Sequence, residues 1–153
     1  MIKIIIKNRE YKMSIKSFTI PSVELKYTSE YIATTLWKQK IAKVDCITMI
    51  PYLRDNEVFN LAYVYIETWC DSEVAYNFIN RLKDSTKETR LVHNSDDWWN
   101  IEMNTHNSGN INLYSYTKNF NNDFFEKDNI VIENKNPIYN NSNYNKNILQ
   151  IEA

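Results

Sequence analysis

Leu61-Ala62-Tyr63-Val64-Tyr65-Ile66 alternates strictly between two kinds of residue. Ala62, Val64 and Ile66 fall on one side, and Leu61, Tyr63 and Tyr65 on the other. That is the two-residue period of a half-buried β-strand. The aliphatic row requires a core behind the strand, and the tyrosine row implies a surface that contacts something.

The neighbouring segments arrange themselves around this strand. Upstream, Ser17–Val23 turns Phe18 and Ile20 inward and Thr19 outward, then meets Pro21, where a strand is expected to leave its sheet. Thr28-Ser29 offers an N-cap before Glu30, and Ile32, Ala33, Leu36 and Trp37 give one apolar helical face through about Ile41. Val44, Ile47 and Met49 fit a second strand ending near Pro51, with Arg54 to Glu57 as a hairpin loop. Downstream, Asp71-Ser72 caps a second helix, read from Val74, Ala75, Phe78, Ile79 and Leu82. Thr89–His93 reads as a short strand. Trp99, Ile101 and Met103 then alternate inward against Trp98, Asn100 and Glu102 in a last strand.

The remaining chain is of a different character. Fifteen Asn fall between Asn104 and Asn147, with Tyr114, Tyr116, Phe120, Phe124 and Phe125 scattered among them. A polar matrix with sparse aromatics is expected to stay disordered or to dock by those aromatics. The expected organisation is therefore residues 1–14 as an N-terminal arm or extra strand, 15–104 as the domain, and 105–153 as an Asn-rich C-terminal extension.

Composition narrows the function. Residues 1–13 carry a net +3, whereas residues 14–104 hold ten basic and thirteen acidic groups. An acidic centre argues against strong non-specific nucleic-acid binding, which rests on neutralising phosphates. Cys46 and Cys70 are too few for a disulfide framework, and no secretory signal is visible, so free thiols in an intracellular, cytoplasmic setting are expected. No apolar run approaches the roughly 20 residues of a membrane helix, so no membrane partner is expected. His93, His106, Cys46 and Cys70 form no close pair, which predicts no metal site. Gly109 alone cannot build a phosphate loop, and the turn carboxylates Asp96, Asp97 and Glu88 have no nucleophile beside them. Neither catalysis nor a cofactor is expected.

The order strand, helix, strand, strand, helix, strand predicts an α+β, ferredoxin-like βαββαβ fold, a four-stranded antiparallel sheet with two helices on one face. Over Ser17 to Asn104 the chain resembles the RNA-recognition motif family. Phe18-Thr19-Ile20-Pro21-Ser22-Val23 is similar to the family's first-strand motif, and Phe59-Asn60-Leu61-Ala62-Tyr63-Val64-Tyr65-Ile66 to its third-strand octamer. The resemblance implies a binding face at the positions of Thr19, Leu61 and Tyr63, where family members stack bases on aromatics. Only Tyr63 is aromatic here, and Phe59 and Asn60 stand where the octamer carries a basic residue and a glycine. The same loss of stacking residues is seen in relatives that bind proteins instead. The Asn-, Ile- and Lys-rich composition also resembles the coding of AT-rich genomes, such as those of large DNA viruses, which would place the protein in host cytoplasm or virion.

Two partner classes follow. Single-stranded RNA or DNA is expected on the outer sheet face through Thr19, Tyr52, Leu61, Tyr63, Tyr65, Arg90, Trp98 and Asn100. The alternative is a protein-interaction or structural module whose sheet face docks a protein partner, a second copy in a homodimer, or its own tail.

Overall fold

The computed structural model describes residues 15–103 and 114–126. The expected N-terminal arm, His106 and the extension beyond residue 126 lie outside the described residues. In chain order the elements are β1 (Ser17–Glu24), α1 (Ser29–Lys38), β2 (Ala42–Arg54), β3 (Glu57–Trp69), α2 (Glu73–Lys83), β4 (Thr89–Asn94), β5 (Asp97–Met103), β6 (Tyr116–Asn119) and α3 (Asn122–Glu126).

The four-stranded ferredoxin-like sheet with two helices is not what forms. Among the described residues the sheet has six antiparallel strands in the order β4-β5-β1-β3-β2-β6, and three helices accompany it. At one side β4 extends β5 as a complete hairpin partner, with Thr89 and Leu91 turned into the core. At the other side β2 is 13 residues long and would leave a row of unpaired backbone groups. The short β6, drawn from the Asn-rich extension, takes up that edge from Cys46 to Met49. Behind it Phe120 and Phe125 are buried, and Phe125 meets Trp37 edge-on at 5.4 Å.

The long hairpin β2–β3 is the frame. Its turn is only Asp55-Asn56, both left-handed (φ 51° and 65°), the primed two-residue turn whose twist matches the flanking strands. Inward from it, Ile47, Met49, Ala62 and Val64 are fully buried together with Phe18 and Ile20 of β1. Phe18 meets Phe78 of α2 edge-on at 5.6 Å, which fixes that helix on the inner face. Ile32, Ala33 and Leu36 bring α1 into the same core.

Local chemistry sets the ends of the elements. Thr28 Oγ1 accepts the Tyr31 amide at 3.1 Å, and Ser72 Oγ accepts the Ala75 amide at 3.0 Å. The Ser72 hydroxyl also donates to the Lys40 carbonyl at 2.5 Å, tying the exit of α1 to the entry of α2. The first helix stops in a Schellman motif, with Ile41 N–H to Leu36 O at 2.9 Å and Lys40 N–H to Trp37 O at 3.0 Å. Strand β1 does not leave the sheet at Pro21. It continues to Glu24 through a register shift between Ile20 and Val23, which accommodates a residue without an N–H. Met103, expected to point inward, ends β5 at 40% exposure because the sheet's core stops short of it.

Candidate functional site: the outer face of the sheet

The three helices all pack on the inner side, so the outward rows of the strands form one continuous face. Its register is explicit. Glu102 pairs with Thr19, Thr19 with Tyr63, Tyr63 with Thr48, and Thr48 with Thr117, a single row across five strands. The last step is closed by a hydroxyl to hydroxyl hydrogen bond of 2.7 Å between Thr48 and Thr117. Next to it Ser17, Tyr65, Cys46 and Asn119 make a second row.

The expected site residues divide into two groups. Thr19, Leu61, Tyr63 and Tyr65 lie in the middle of the face and are at least half-buried. Burial pushes the Tyr65 hydroxyl above its ordinary pKa, with the neighbouring Cys46 and Tyr63 adding to it. The Cys46 thiol is raised for the same reason, and then by Asp45. Thr19 is 7% exposed although it points outward, and its hydroxyl has no hydrogen-bond partner among the described residues. Arg90, Trp98 and Asn100 are exposed at the β4–β5 side, with Arg90 paired to Asn100 and Val92 to Trp98. Tyr52 is engaged elsewhere, its hydroxyl donating to the Pro21 carbonyl at 3.0 Å.

Two guanidinium-over-ring pairs mark one end of this face. Arg90 lies 4.6 Å from the ring centre of Trp98, which is 46% exposed, and Arg54 lies 4.4 Å from that of Phe59. Strands β3 and β5 run in the same direction, so Phe59 and Trp98, each near the start of its strand, belong to the same end of the sheet. Sequence reasoning passed over Phe59 as a mere departure from a motif. The signal was present, since Phe59 shares the two-residue parity of Leu61, Tyr63 and Tyr65 and sits opposite Tyr52 in the hairpin. The two rings are 6.1 Å apart.

The electrostatics of this end are close to balanced. Glu88 holds Arg90 at 2.7 Å, and Glu24 holds Lys26 at 3.5 Å and raises its pKa. Glu24, Lys26, Glu57, Leu53, Val58 and Phe59 line an open groove of about 590 Å³ beside the β2–β3 turn. Its two carboxylates against one lysine do not suit an anion.

The β4 edge of the sheet is partly occupied. Along β4, the Val92 carbonyl accepts from Gln39 Nε2 at 2.5 Å and the His93 carbonyl from the Tyr31 hydroxyl at 2.9 Å. Just before it, the Glu88 carbonyl accepts from Arg81 at 2.8 Å. Side chains that take up an edge's acceptors discourage strand addition there. Among the described residues no set of three His, Cys, Asp or Glu side chains converges as a metal site, and no helix is long and apolar enough to cross a membrane. No family model matches the chain, and no curated protein or solved structure matches it.

Proposed function

We propose that this protein is a non-enzymatic, intracellular binding module that takes single-stranded RNA or DNA on the hairpin end of its outer sheet face. The observation that carries the reading is the exposed Trp98 ring with Arg90 over it, at the same end of the sheet as Phe59 with Arg54. Base stacking on an exposed ring contributes on the order of 1–3 kcal/mol and tolerates any base, and a guanidinium beside the ring adds a contact for a phosphate or a second π-face. The resemblance to the RNA-recognition motif supports the choice of face. The stacking residues differ from those of the motif, since Trp98 and Phe59 take the part that Thr19 and Leu61 cannot play.

Electrostatics set the character of the binding. With Arg90 held by Glu88, Arg54 carries most of the phosphate neutralisation, and the slope of log affinity against log salt should be shallow, roughly −0.7 for a single strand. The test is a titration of fluorescent single-stranded oligonucleotides at low salt against wild type, Trp98→Ala and Arg90→Ala. Saturable binding that weakens about tenfold or more in Trp98→Ala, with thermal stability near wild type, is the expected result. Absence of saturable binding to the wild type sinks the reading.

A specific observation favours a second reading, a face that docks protein. Val92, the cross-strand partner of Trp98, is 49% exposed, and the Arg90 charge is already matched by Glu88. Concentration-dependent self-association that Trp98→Ala abolishes, with no oligonucleotide binding, is the result that selects it.

A further inference from the structure

Strand β2 pairs with β3 along its whole length, from Ala42 opposite Trp69 to Arg54 opposite Glu57, so its shape does not depend on β6. On its other side β6 covers only Cys46 to Met49. The β2 edge and the flank of α1 thus form a ready-made site, and β6–α3 sits in it as a ligand would. We propose that this is a strand-docking site for a partner chain, with β6–α3 as its exchangeable intramolecular occupant. The partner is an extended segment carrying an aromatic residue, a cation two residues on and a phenylalanine two residues after that. The inference is independent of the oligonucleotide reading, whose Trp98 lies across the sheet on β5.

The backbone sets the limits of the site. Asp45 is skipped in the β2–β3 register, and its carbonyl accepts the Phe120 N–H at 2.9 Å. A bulge of this kind turns a main-chain group off the ladder and toward a neighbour. The alternation of antiparallel pairs then directs the main-chain groups of Ile47 and Met49 to the β6 side, and those of Thr48 and Ile50 to β3. Two residues past Met49 the same side carries Pro51, which has no N–H to offer. The docking stretch therefore runs from Asp45 to Met49.

The side chains set the chemistry of the partner. Tyr116 lies opposite Met49 and packs against the core, and Phe120 is buried where the strand ends. Between them Lys118, opposite Ile47, reaches the Glu30 carboxylate of α1 at 3.9 Å. Glu30 suits a lysine or arginine at this position and opposes an acidic residue. Phe125 follows from α3, edge-on to Trp37 at 5.4 Å and 5.8 Å from the Lys43 ammonium.

The occupant is lightly held. Strand β6 has four residues, three of them exposed, and α3 has five, far short of the roughly 12 that a free helix needs. The Lys118–Glu30 pair, the Lys43–Asn122 contact and the Thr48–Thr117 hydroxyl bond all face solvent, where such contacts contribute little. Retention rests on Phe120 and Phe125, the two buried side chains of residues 114–126. A segment anchored at two points opens well below the free energy of global unfolding, and an incoming strand with the same anchors can take its place.

The test uses the full-length chain and, as probe, a fluorescein-labelled peptide of residues 116–126. In the wild type the amides of Ile47 and Met49 should exchange with solvent at least tenfold faster than those of Thr48 and Ile50. Equal exchange overturns the proposal, because the site then opens only when the β2–β3 ladder does. Phe120→Ala removes one anchor of the occupant, and this variant, folded by circular dichroism, should bind the probe at least tenfold more tightly than the wild type. A probe carrying Lys118→Glu should lose that gain. Absence of binding to Phe120→Ala, or binding indifferent to the charge at position 118 of the probe, overturns the proposal.

Discussion

The Tyr31 hydroxyl donates to the main-chain oxygen of His93 at 2.9 Å, and its oxygen lies 3.3 Å from His93 Nδ1. One side chain thereby joins the first turn of α1 to the end of β4. Around this bond Tyr27 stacks on Tyr31 at 4.9 Å and His93 stacks on Trp99 at 3.9 Å, so the bond is held in an aromatic cluster rather than in open solvent. Replacing Tyr31 with Phe keeps the stacking and leaves the His93 carbonyl without its donor. The expected loss is about 1–2 kcal/mol in urea unfolding, with faster amide exchange confined to β4 and β5. An unchanged midpoint would show that water replaces the hydroxyl without loss.

The same cluster predicts a pH dependence. Burial pushes the His93 imidazole below its ordinary pKa, and Lys26 acts in the same direction, while Asp97 and Glu24 oppose them. Tyr27 and Tyr31 also pack against the ring, and burial raises the Tyr31 hydroxyl above its ordinary pKa, so it stays protonated in this range. The unfolded chain therefore takes up a proton near pH 6.5 before the folded one does. Stability from this group is complete above that value and declines as pH falls from 6.5 toward the depressed folded value. Urea unfolding at pH 7.5 and pH 5.5 should show a decline in wild type that His93→Gln reduces. A decline of equal size in the variant would place the sensitivity elsewhere.

The two-residue alternation of Leu61 to Ile66 was enough to place Ala62 and Val64 in the core and Tyr63 and Tyr65 on the opposite face, because burial on one side leaves a strand only one register. Helix starts at Thr28 and Ser72 were equally legible, since the capping residue is local chemistry. What escaped was non-local. Tyr116 to Asn119 carries no strong strand pattern, and it becomes a strand because β2 offers an edge with the right groups free. Phe120 and Phe125 looked like stray aromatics in a polar tail until that edge brought them beside Trp37. At the site, Trp98 was readable from its alternation with Trp99. The pairings of Arg90 with Trp98 and of Arg54 with Phe59 depend on strand register, which composition does not encode.

The carbonyl caps along β4 predict a change in assembly rather than in fold. Gln39 and Arg81 reach the Val92 and Glu88 carbonyls from the two helices, occupying acceptors that another chain could otherwise use. A Gln39→Ala, Arg81→Ala double variant should remain folded by circular dichroism yet self-associate at concentrations where the wild type does not, as read by light scattering. If the double variant scatters like wild type, the edge is protected by something other than these two side chains.

Lys40 supplies the sharpest test of a backbone requirement. It ends α1 in the left-handed region at φ 59°, where a Cβ opposes the following carbonyl and a non-glycine residue costs about 1 kcal/mol or more. Its main-chain oxygen holds the Ser72 hydroxyl, so the conformation is needed whatever the side chain. Lys40→Gly relieves the clash but frees the unfolded chain and removes a cation from the helix C-terminus, which together offset part of the gain. The net expectation is a stabilisation of about 0.5 kcal/mol with an unchanged denaturant slope. Lys40→Val should destabilise by about 1 kcal/mol or more, because a β-branched residue is more strongly opposed to this region. Equal midpoints for the two variants would mean that the helix ends differently in solution, and the tie between Lys40 and Ser72 would then have to be given up.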